Sequence, residues 1–173
     1  ATEFIFLILK DNYNLILFFD VLRDILLALV FIFSFGNIVL TFIYDRKLNK
    51  IYLLELLIVI LLSFAFIILL NSQFKSLRPI SYFFSFEEQK LDSFPSKHTT
   101  LAFSISFITL ISNIQLAFLL FTLSILIAIL SWLSLMHWPI DIIFGIIIAF
   151  ICFYLTHRIM QFFFRFYIKK MKS

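Results

Sequence analysis

The chain has 173 residues, of which 63% are hydrophobic and 14% are charged, and its formal net charge is +4. Soluble domains are about half apolar and about a quarter charged, so the mean hydropathy of +1.09 excludes a water-soluble globular fold. In lipid, only α-helices and closed β-barrels satisfy the backbone hydrogen bonds. Apolar runs such as residues 57–70 do not alternate in polarity as barrel strands do. The sequence therefore predicts an all-α, polytopic transmembrane helix bundle of five to six membrane helices, forming a single domain over residues 1–173.

The N-terminal segment, residues 1–20, is apolar but is interrupted by Lys10 and Asp11. An interfacial helix suits that length and those charges better than a membrane span does. If this segment did cross the bilayer, the helix count would rise from five to six. The five predicted spans follow in chain order at residues 22–44, 51–71, 98–113, 115–134 and 138–157.

Charged residues cluster where the first predicted span begins, at Asp20, Arg23 and Asp24. We interpret this cluster as a local pairing of charges at the membrane interface. On that interpretation it has a structural role and lies outside any functional site.

Positively charged residues predict the orientation of the spans. The loop at residues 45–50 and the tail after residue 157 hold eight of the fourteen Lys and Arg residues, and five spans place both on one side. Because cytoplasmic segments are enriched in Lys and Arg, that side is predicted to be cytoplasmic. The opposite side holds residues 72–97 and 134–139, with all three prolines and His137, and it also holds His98 at the adjoining start of the third span. The candidate functional residues therefore gather on one face of the membrane.

The first group of candidate residues precedes the third predicted span. Ser96 follows Pro95 at the start of that helix, where an N-cap, unpaired N–H groups and the helix dipole attract anions such as phosphate. Lys75, Arg78 and Lys97 add positive charge nearby in sequence, and an arginine fork suits two phosphate oxygens. The alternative for these cations is that they only extend toward lipid headgroups.

The second group consists of His137 and Asp141, which a helix would place on one face because they are four residues apart. A carboxylate in that position can accept the Nδ1 proton of the imidazole and leave Nε2 free as a nucleophile or base. The alternative is a structural hydrogen bond at a helix start. Asp141 opens a long apolar run, however, and an ionisable group at membrane depth favours a functional role.

His98 is the third candidate for chemistry, since its position at an anion-attracting helix start suits protonation of a leaving oxygen. A metal site built on His98, His137 and Asp141 is a weaker alternative. The neighbouring cations would repel a metal ion, so phosphate chemistry is favoured.

Three short motifs resemble, in order and spacing, the signature of the type 2 phosphatidic acid phosphatase (PAP2) superfamily. That signature consists of K-x6-R-P, P-S-G-H and S-R-x5-H-x3-D. The resemblance covers residues 50–157 and places every motif within residues 71–141. The matching residues at the span ends are Arg78-Pro79, Pro95-Ser96-x-His98 and His137-x-x-x-Asp141.

Three positions depart from that signature. Asn71 stands where the first-motif lysine is expected, although Lys75 follows one helical turn later and can reach the same site. Lys97 replaces the glycine of the second motif, and Ser131 replaces the arginine of the third. We hypothesise that Lys97 compensates for the absent arginine and conserves the positive charge around the phosphate.

The resemblance implies a metal-independent lipid phosphatase that needs no cofactor. His137 would attack phosphorus to form a phosphohistidine, and Asp141 would orient the imidazole and stabilise its cationic form. His98 would protonate the leaving lipid oxygen and then activate water for hydrolysis. The phosphate would be bound by four further residues, namely Arg78, Lys75, Ser96 and Lys97.

The resemblance also implies a substrate class and a location. The chain is expected in a bacterial inner membrane with its site facing the periplasm, where its partners are the bilayer and a lipid phosphate, with no nucleic acid. The leading substrate is lipid A 1-phosphate, and undecaprenyl pyrophosphate and phosphatidylglycerol phosphate are further candidates. The alternative is a non-catalytic lipid-phosphate binding or transport protein that retains the shape of the site. The three departures favour that alternative, whereas the retained histidines favour the enzyme.

Overall fold

The computed structural model describes the backbone of residues 2–44, 46–84 and 90–171, with side chains through residue 163 apart from 41, 42, 44 and 46–49. Within these ranges every regular element is a helix, which confirms the predicted all-α class. The helices are α1 (Thr2–Leu9), α2 (Tyr13–Tyr44), α3 (Arg46–Gln73), α4 (Pro79–Phe84), α5 (Lys97–Ser112), α6 (Ile114–Leu133) and α7 (Pro139–Met171).

Three of these helices are long and apolar enough to cross a membrane, which makes the chain a membrane protein. They are Lys50–Gln73 within α3, Ile114–Leu133, which is α6, and Pro139–Phe163 within α7. These segments coincide with the second, fourth and fifth predicted spans. The third predicted span corresponds to α5, which has only 16 residues.

The helices of the N-terminal region have different bounds from those predicted. Helix α2 begins at Tyr13 rather than near residue 22, because no proline or glycine interrupts the apolar sequence between these positions. Helix α1 has only eight residues, far fewer than the roughly 20 that cross a bilayer. It packs through Ile5 and Leu9 against Ile80 and Leu135. Helix α1 therefore lies at the same end of the bundle as α4 and the α6–α7 turn.

Helix α5 is the central helix of the bundle, with ten buried residues among its 16. Its hydroxyl groups reach neighbouring helices: Ser104 bonds Ser63 of α3 at 2.8 Å, and Ser106 bonds Ser124 of α6 at 2.9 Å. Interhelical hydrogen bonds of this kind contribute about 0.6 kcal/mol each in a membrane. They supplement the close packing that small side chains permit, and they fix α5 as the frame for residues at its start.

Helix α7 approaches the first turn of α5 at Gly145. A Cβ atom at this position would lie 3.0 Å from Thr100 Oγ1 and 3.2 Å from the carbonyl oxygen of Ser96. We expect Gly145→Ala to lower the free energy of unfolding by about 1–3 kcal/mol, because overpacking pushes the two helices apart. Thermal unfolding in detergent measures this change.

Gly36 supplies the matched control, since a Cβ atom there would meet nothing within 4 Å. Gly36→Ala should be neutral, or stabilising by up to about 1 kcal/mol, because alanine is the better helix former. Equal melting temperatures for the two variants would contradict the close approach at Gly145.

Candidate active site

Four chain segments meet at one end of the bundle: the α3–α4 connection, the α4–α5 connection, the start of α5 and the α6–α7 turn. Backbone hydrogen bonds join them, since the Ser93 N–H donates to the Ser76 carbonyl at 3.0 Å and the Ser96 N–H donates to the Asp141 carbonyl at 3.2 Å. These segments and the first turn of α7 carry all seven residues that the sequence predicted for the site. Backbone hydrogen bonds therefore help to hold these segments together independently of their side chains.

Arg78 and Lys97 share one carboxylate, that of Asp92. Arg78 donates from Nε to Oδ1 at 2.8 Å and from Nη2 to Oδ2 at 2.9 Å, and Lys97 Nζ donates to Oδ2 at 2.9 Å. Partial burial alone would raise the pKa of Asp92, but hydrogen bonds and positive charge from Lys97 and Arg78 lower it to about 2. Asp92 is therefore ionised at neutral pH and holds the two cations side by side.

Asp92 was missed by the sequence analysis because it belongs to none of the three motifs. It lies in the connection between the first and second motifs, and a bridge to Ser76 fixes its backbone. The one signal in the sequence is its position near three cations in an otherwise apolar chain. An unpaired carboxylate would be costly there, so a partner for it could have been expected.

His137 lies in the α6–α7 turn and is 2% exposed. Its Nδ1 is 2.6 Å from the carbonyl oxygen of Ser93. A carbonyl oxygen can only accept a hydrogen bond, so Nδ1 carries the proton and Nε2 carries the lone pair in the neutral imidazole. Burial lowers the pKa of His137 to about 3, and the positive charge of Arg78 acts in the same direction. The hydrogen bond to Ser93 opposes this effect only in part. The imidazole is therefore neutral at physiological pH, and the lone pair on Nε2 is the group that a nucleophilic role would use.

Asp141 does not bond to His137 directly, contrary to the expected pairing. Its Oδ2 accepts hydrogen bonds from the Ser93 hydroxyl and, at 3.0 Å, from the Trp138 N–H. The physical reason is the helix boundary: α7 begins at Pro139, so His137 lies before the helix and the four-residue stacking rule does not apply. Asp141 instead fixes Ser93, whose carbonyl then fixes the imidazole. Its link to the nucleophile thus passes through one intervening residue.

His98 is the second residue of α5, and its Nε2 lies 3.0 Å from Asp24 Oδ1. Its Nδ1 is buried without a partner among the described residues. The predicted pairing of Asp20, Arg23 and Asp24 is present, but through Asp24 this cluster also contacts the candidate residue His98. The sequence contained a signal for this, because charged residues inside a long apolar helix usually face the bundle interior.

Ser96 and Lys75 occupy different environments. Ser96 is fully buried at the N-cap of α5, but its hydroxyl donates to Thr99 Oγ1 at 2.9 Å instead of capping a backbone N–H. Lys75 is exposed, and it lines the rim of the site. Ser96 thus stabilises the first turn of α5, whereas Lys75 is the cation with the greatest freedom to move toward a bound anion.

A groove of about 670 Å³ runs from this rim down the outside of α3. Its polar end is formed by Lys75, Asp92 and Lys97, and its apolar end by Phe64 and Ile68. Asn71, at the position of the family's first-motif lysine, lies between the two ends. The groove therefore joins an ionic rim to a surface suited to hydrocarbon.

The fold and site together define a membrane protein in which cationic side chains and a buried, neutral imidazole lie at one end of the helix bundle. The sequence pattern of the PAP2 superfamily matches residues 52–165, and the chain belongs to this superfamily. Its structure is similar to the crystal structure of LpxE from Aquifex aeolicus, with a TM-score of 0.62 and 24% identity over 90% of this chain and 93% of that one. At this identity the likeness concerns the fold. No curated protein matches the chain.

Membership of this superfamily supports a phosphatase as the general activity, exerted at a membrane. Across the described residues, no three His, Cys, Asp or Glu side chains are grouped as ligands for a metal ion. His98, His137 and Asp141 therefore do not form such a group, and the alternative metal site gains no support from the described residues. Catalysis without a metal stays a prediction.

Proposed function

We propose that this protein is an integral membrane lipid phosphatase that hydrolyses a phosphate monoester or pyrophosphate through a phosphohistidine intermediate. The hydrogen bond from His137 Nδ1 to the Ser93 carbonyl supports this proposal most directly. It holds the tautomer whose Nε2 lone pair can attack phosphorus. A protein that only bound lipid phosphate would have no need for that arrangement.

In the first step, Nε2 of His137 forms a bond to phosphorus as the bond from phosphorus to the lipid oxygen breaks. His98 donates its proton to that oxygen, so the lipid leaves as a neutral alcohol or as a phosphomonoester. In the second step, His98 removes a proton from water, and the resulting hydroxide attacks the phosphohistidine. Inorganic phosphate departs and His137 is restored. Asp141 supports the imidazolium stage through Ser93.

Arg78, Lys97 and Lys75 would stabilise the charge that develops on the phosphate oxygens, and Ser96 would hold the helix start that faces them. Asp92 occupies the Nε and Nη2 edge of Arg78. Among the described residues, the third donor group of that guanidinium, Nη1, contacts only the sulfur of Met136 at 3.3 Å, a weak acceptor. A phosphate oxygen would therefore replace the Met136 sulfur as the acceptor at Nη1, and Asp92 would keep its hydrogen bonds to Nε and Nη2.

The substrate proposal rests on the groove. Its ionic rim and apolar wall would accommodate a phosphate and the chain attached to it, with the phosphate at headgroup depth. We favour lipid A 1-phosphate as the leading substrate, with undecaprenyl pyrophosphate and phosphatidylglycerol phosphate as further candidates. The corresponding location is a bacterial inner membrane with the site facing the periplasm.

The test is phosphate release by the protein purified in detergent, with each of the three lipids as substrate. We expect release from at least one lipid, and we expect it to continue in the presence of EDTA. His137→Ala serves as the control for contaminating phosphatases. Binding of all three lipids with no release would instead favour a lipid-phosphate binding or transport protein.

Lys97→Gly tests whether the additional cation compensates for the arginine missing at position 131. This change installs the residue usual in the superfamily and removes one cation from the rim. We expect kcat/KM to fall by about 10- to 100-fold, because charge on the transferred phosphoryl oxygens loses one donor. Phosphate release at a series of lipid concentrations measures the change.

Lys90→Gly is the matched control, since Lys90 is an exposed lysine in the same connection. It should leave kcat/KM within about twofold of the wild type, because isolated exposed charges contribute little. Full activity in Lys97→Gly would remove Lys97 from the phosphate site.

A further inference from the structure

Arg23 is a buried arginine on α2, outside the segment that matches the PAP2 superfamily. Its side chain is 6% exposed and is held between two carboxylates. Nη2 lies 2.8 Å from Asp20 Oδ1 and 2.9 Å from Asp24 Oδ1, and Nε donates to the same Asp24 oxygen at 3.1 Å. Its Nη1 has no partner in the part of the chain that the structure describes. One side of the guanidinium is thus fixed and one donor group stays available.

Asp24 connects this arginine to the site. Its Oδ1 accepts from Arg23 and is also 3.0 Å from Nε2 of His98, so the guanidinium and the imidazole meet at one oxygen atom. The positive charge of Arg23 is also among the causes that lower the pKa of His137. Arg23 therefore lies within electrostatic reach of the proposed nucleophile and beside the proposed proton donor.

The third motif contributes no cation to this site. Ser131 stands at its arginine position on α6 and is fully buried. The Ser131 hydroxyl donates to the Ile127 carbonyl at 2.7 Å, and its own carbonyl accepts the His137 N–H at 3.2 Å. Lys97 supplies charge on the other side, beside Asp92, but a lysine cannot offer two parallel donors to a phosphate. None of the three motifs thus supplies a guanidinium on the side of His98.

A purely structural role for Arg23 would be to neutralise Asp20 and Asp24. That role does not account for the position of the cluster. Burying the charged guanidinium of Arg23 in a membrane bundle is costly, and an apolar residue would fill the same space at lower cost. The contact between Asp24 and His98 provides a functional reason for keeping a buried charge at this position.

We propose that Arg23 is a phosphate-binding residue of this site and that it takes the place of the arginine absent from the third motif. The phosphate would accept a hydrogen bond from Nη1, while Asp20 and Asp24 hold the rest of the guanidinium in place. This inference rests on the proposed phosphatase function. It also assigns a part of the site to α2, which lies before the superfamily segment.

The test compares Arg23→Gln, Arg23→Lys and the control Arg158→Gln. The control removes an exposed arginine whose one partner among the described residues is Tyr154 on its own helix. Two properties are measured: kcat and KM for the preferred lipid, and the rise in melting temperature caused by millimolar inorganic phosphate. We expect Arg23→Gln to lose at least about 100-fold in kcat/KM and to lose the phosphate-induced rise. Arg23→Lys should be intermediate in both, and Arg158→Gln should match the wild type.

Wild-type KM and an undiminished phosphate-induced rise in Arg23→Gln would overturn the inference while leaving the phosphatase function intact. If Arg23→Gln does not fold, Arg23→Lys decides the question, and wild-type values in that variant would overturn the inference. If the wild type releases no phosphate from any lipid, the proposed function fails. The phosphate-induced rise still tests Arg23 in that case, because it requires binding without turnover. A wild type that shows no such rise would also overturn the inference.

Discussion

Replacing His137 by asparagine should reduce kcat by at least about 10⁴-fold with little effect on folding, because the reaction loses its nucleophile. The asparagine Nδ2 occupies nearly the position of the histidine Nδ1 and can still donate to the Ser93 carbonyl. The variant therefore keeps the hydrogen bond that anchors the turn and loses only the Nε2 lone pair. Phosphate release from the preferred lipid, normalised to the amount of folded protein, measures the loss.

The intermediate gives a second observation on the same variant. Wild-type protein quenched in alkali during turnover of a lipid labelled with radioactive phosphate should carry acid-labile label, as expected for a phosphohistidine. His137→Asn should carry none. His157→Asn is the matched control, because His157 lies in the second half of α7, away from the site, and pairs with Glu55 at 3.4 Å. Label retained in His137→Asn would assign the nucleophile to another residue.

Replacing His98 by glutamine should reduce kcat for the lipid substrate by about 10²- to 10⁴-fold, the range for loss of a general acid. The glutamine Nε2 reaches nearly the position of the imidazole Nε2 and can still donate to Asp24. It cannot transfer a proton, so departure of the lipid oxygen is slowed. Initial rates of phosphate release measure this loss.

A substrate with a better leaving group distinguishes proton donation from simple positioning. An aryl phosphate leaves as a stabilised anion and needs no proton, so His98→Gln should slow the first step far less for an aryl phosphate than for the lipid. Burst kinetics isolate that first step from the hydrolysis of the intermediate. Equal losses on both substrates would show that His98 does not act as the acid.

The sequence predicted correctly that several motif residues lie at helix starts. His98 and Asp141 lie at the beginnings of α5 and α7, as expected, and the backbone bond between Ser96 and Asp141 brings these starts together. This agreement has a simple cause. A proline before an apolar run marks a helix start, and starts on one face of a bundle become neighbours.

The pairing of His137 was harder to predict because it depends on where α7 begins. A boundary two residues earlier would have placed His137 and Asp141 on one helical face. The actual start at Pro139 leaves His137 in the turn, where the Ser93 carbonyl is within 2.6 Å. The partner is a backbone group of a distant connection, and backbone groups leave no mark in the residue types of a sequence.

Asp24 and Arg23 show a different limit. Their residue types were noticed, but their distance in sequence from the motifs concealed their contact with His98. Only the packing of α2 against α5 brings them to the site. The energetic cost of charged residues in a membrane helix was a usable signal, because such residues almost always interact with groups inside the bundle.

The short length of α5 determines how deep in the membrane the chemistry takes place. Its 16 residues extend about 24 Å, whereas the 20 residues of α6 extend about 30 Å, the thickness of the hydrocarbon layer. The two helices meet at Asn113, where α5 ends and α6 begins. The beginning of α5 therefore lies about 6 Å below the level that α6 reaches. A bound phosphate would therefore lie in a depression of the protein surface, and a thinner bilayer would lower the lipid headgroup toward it.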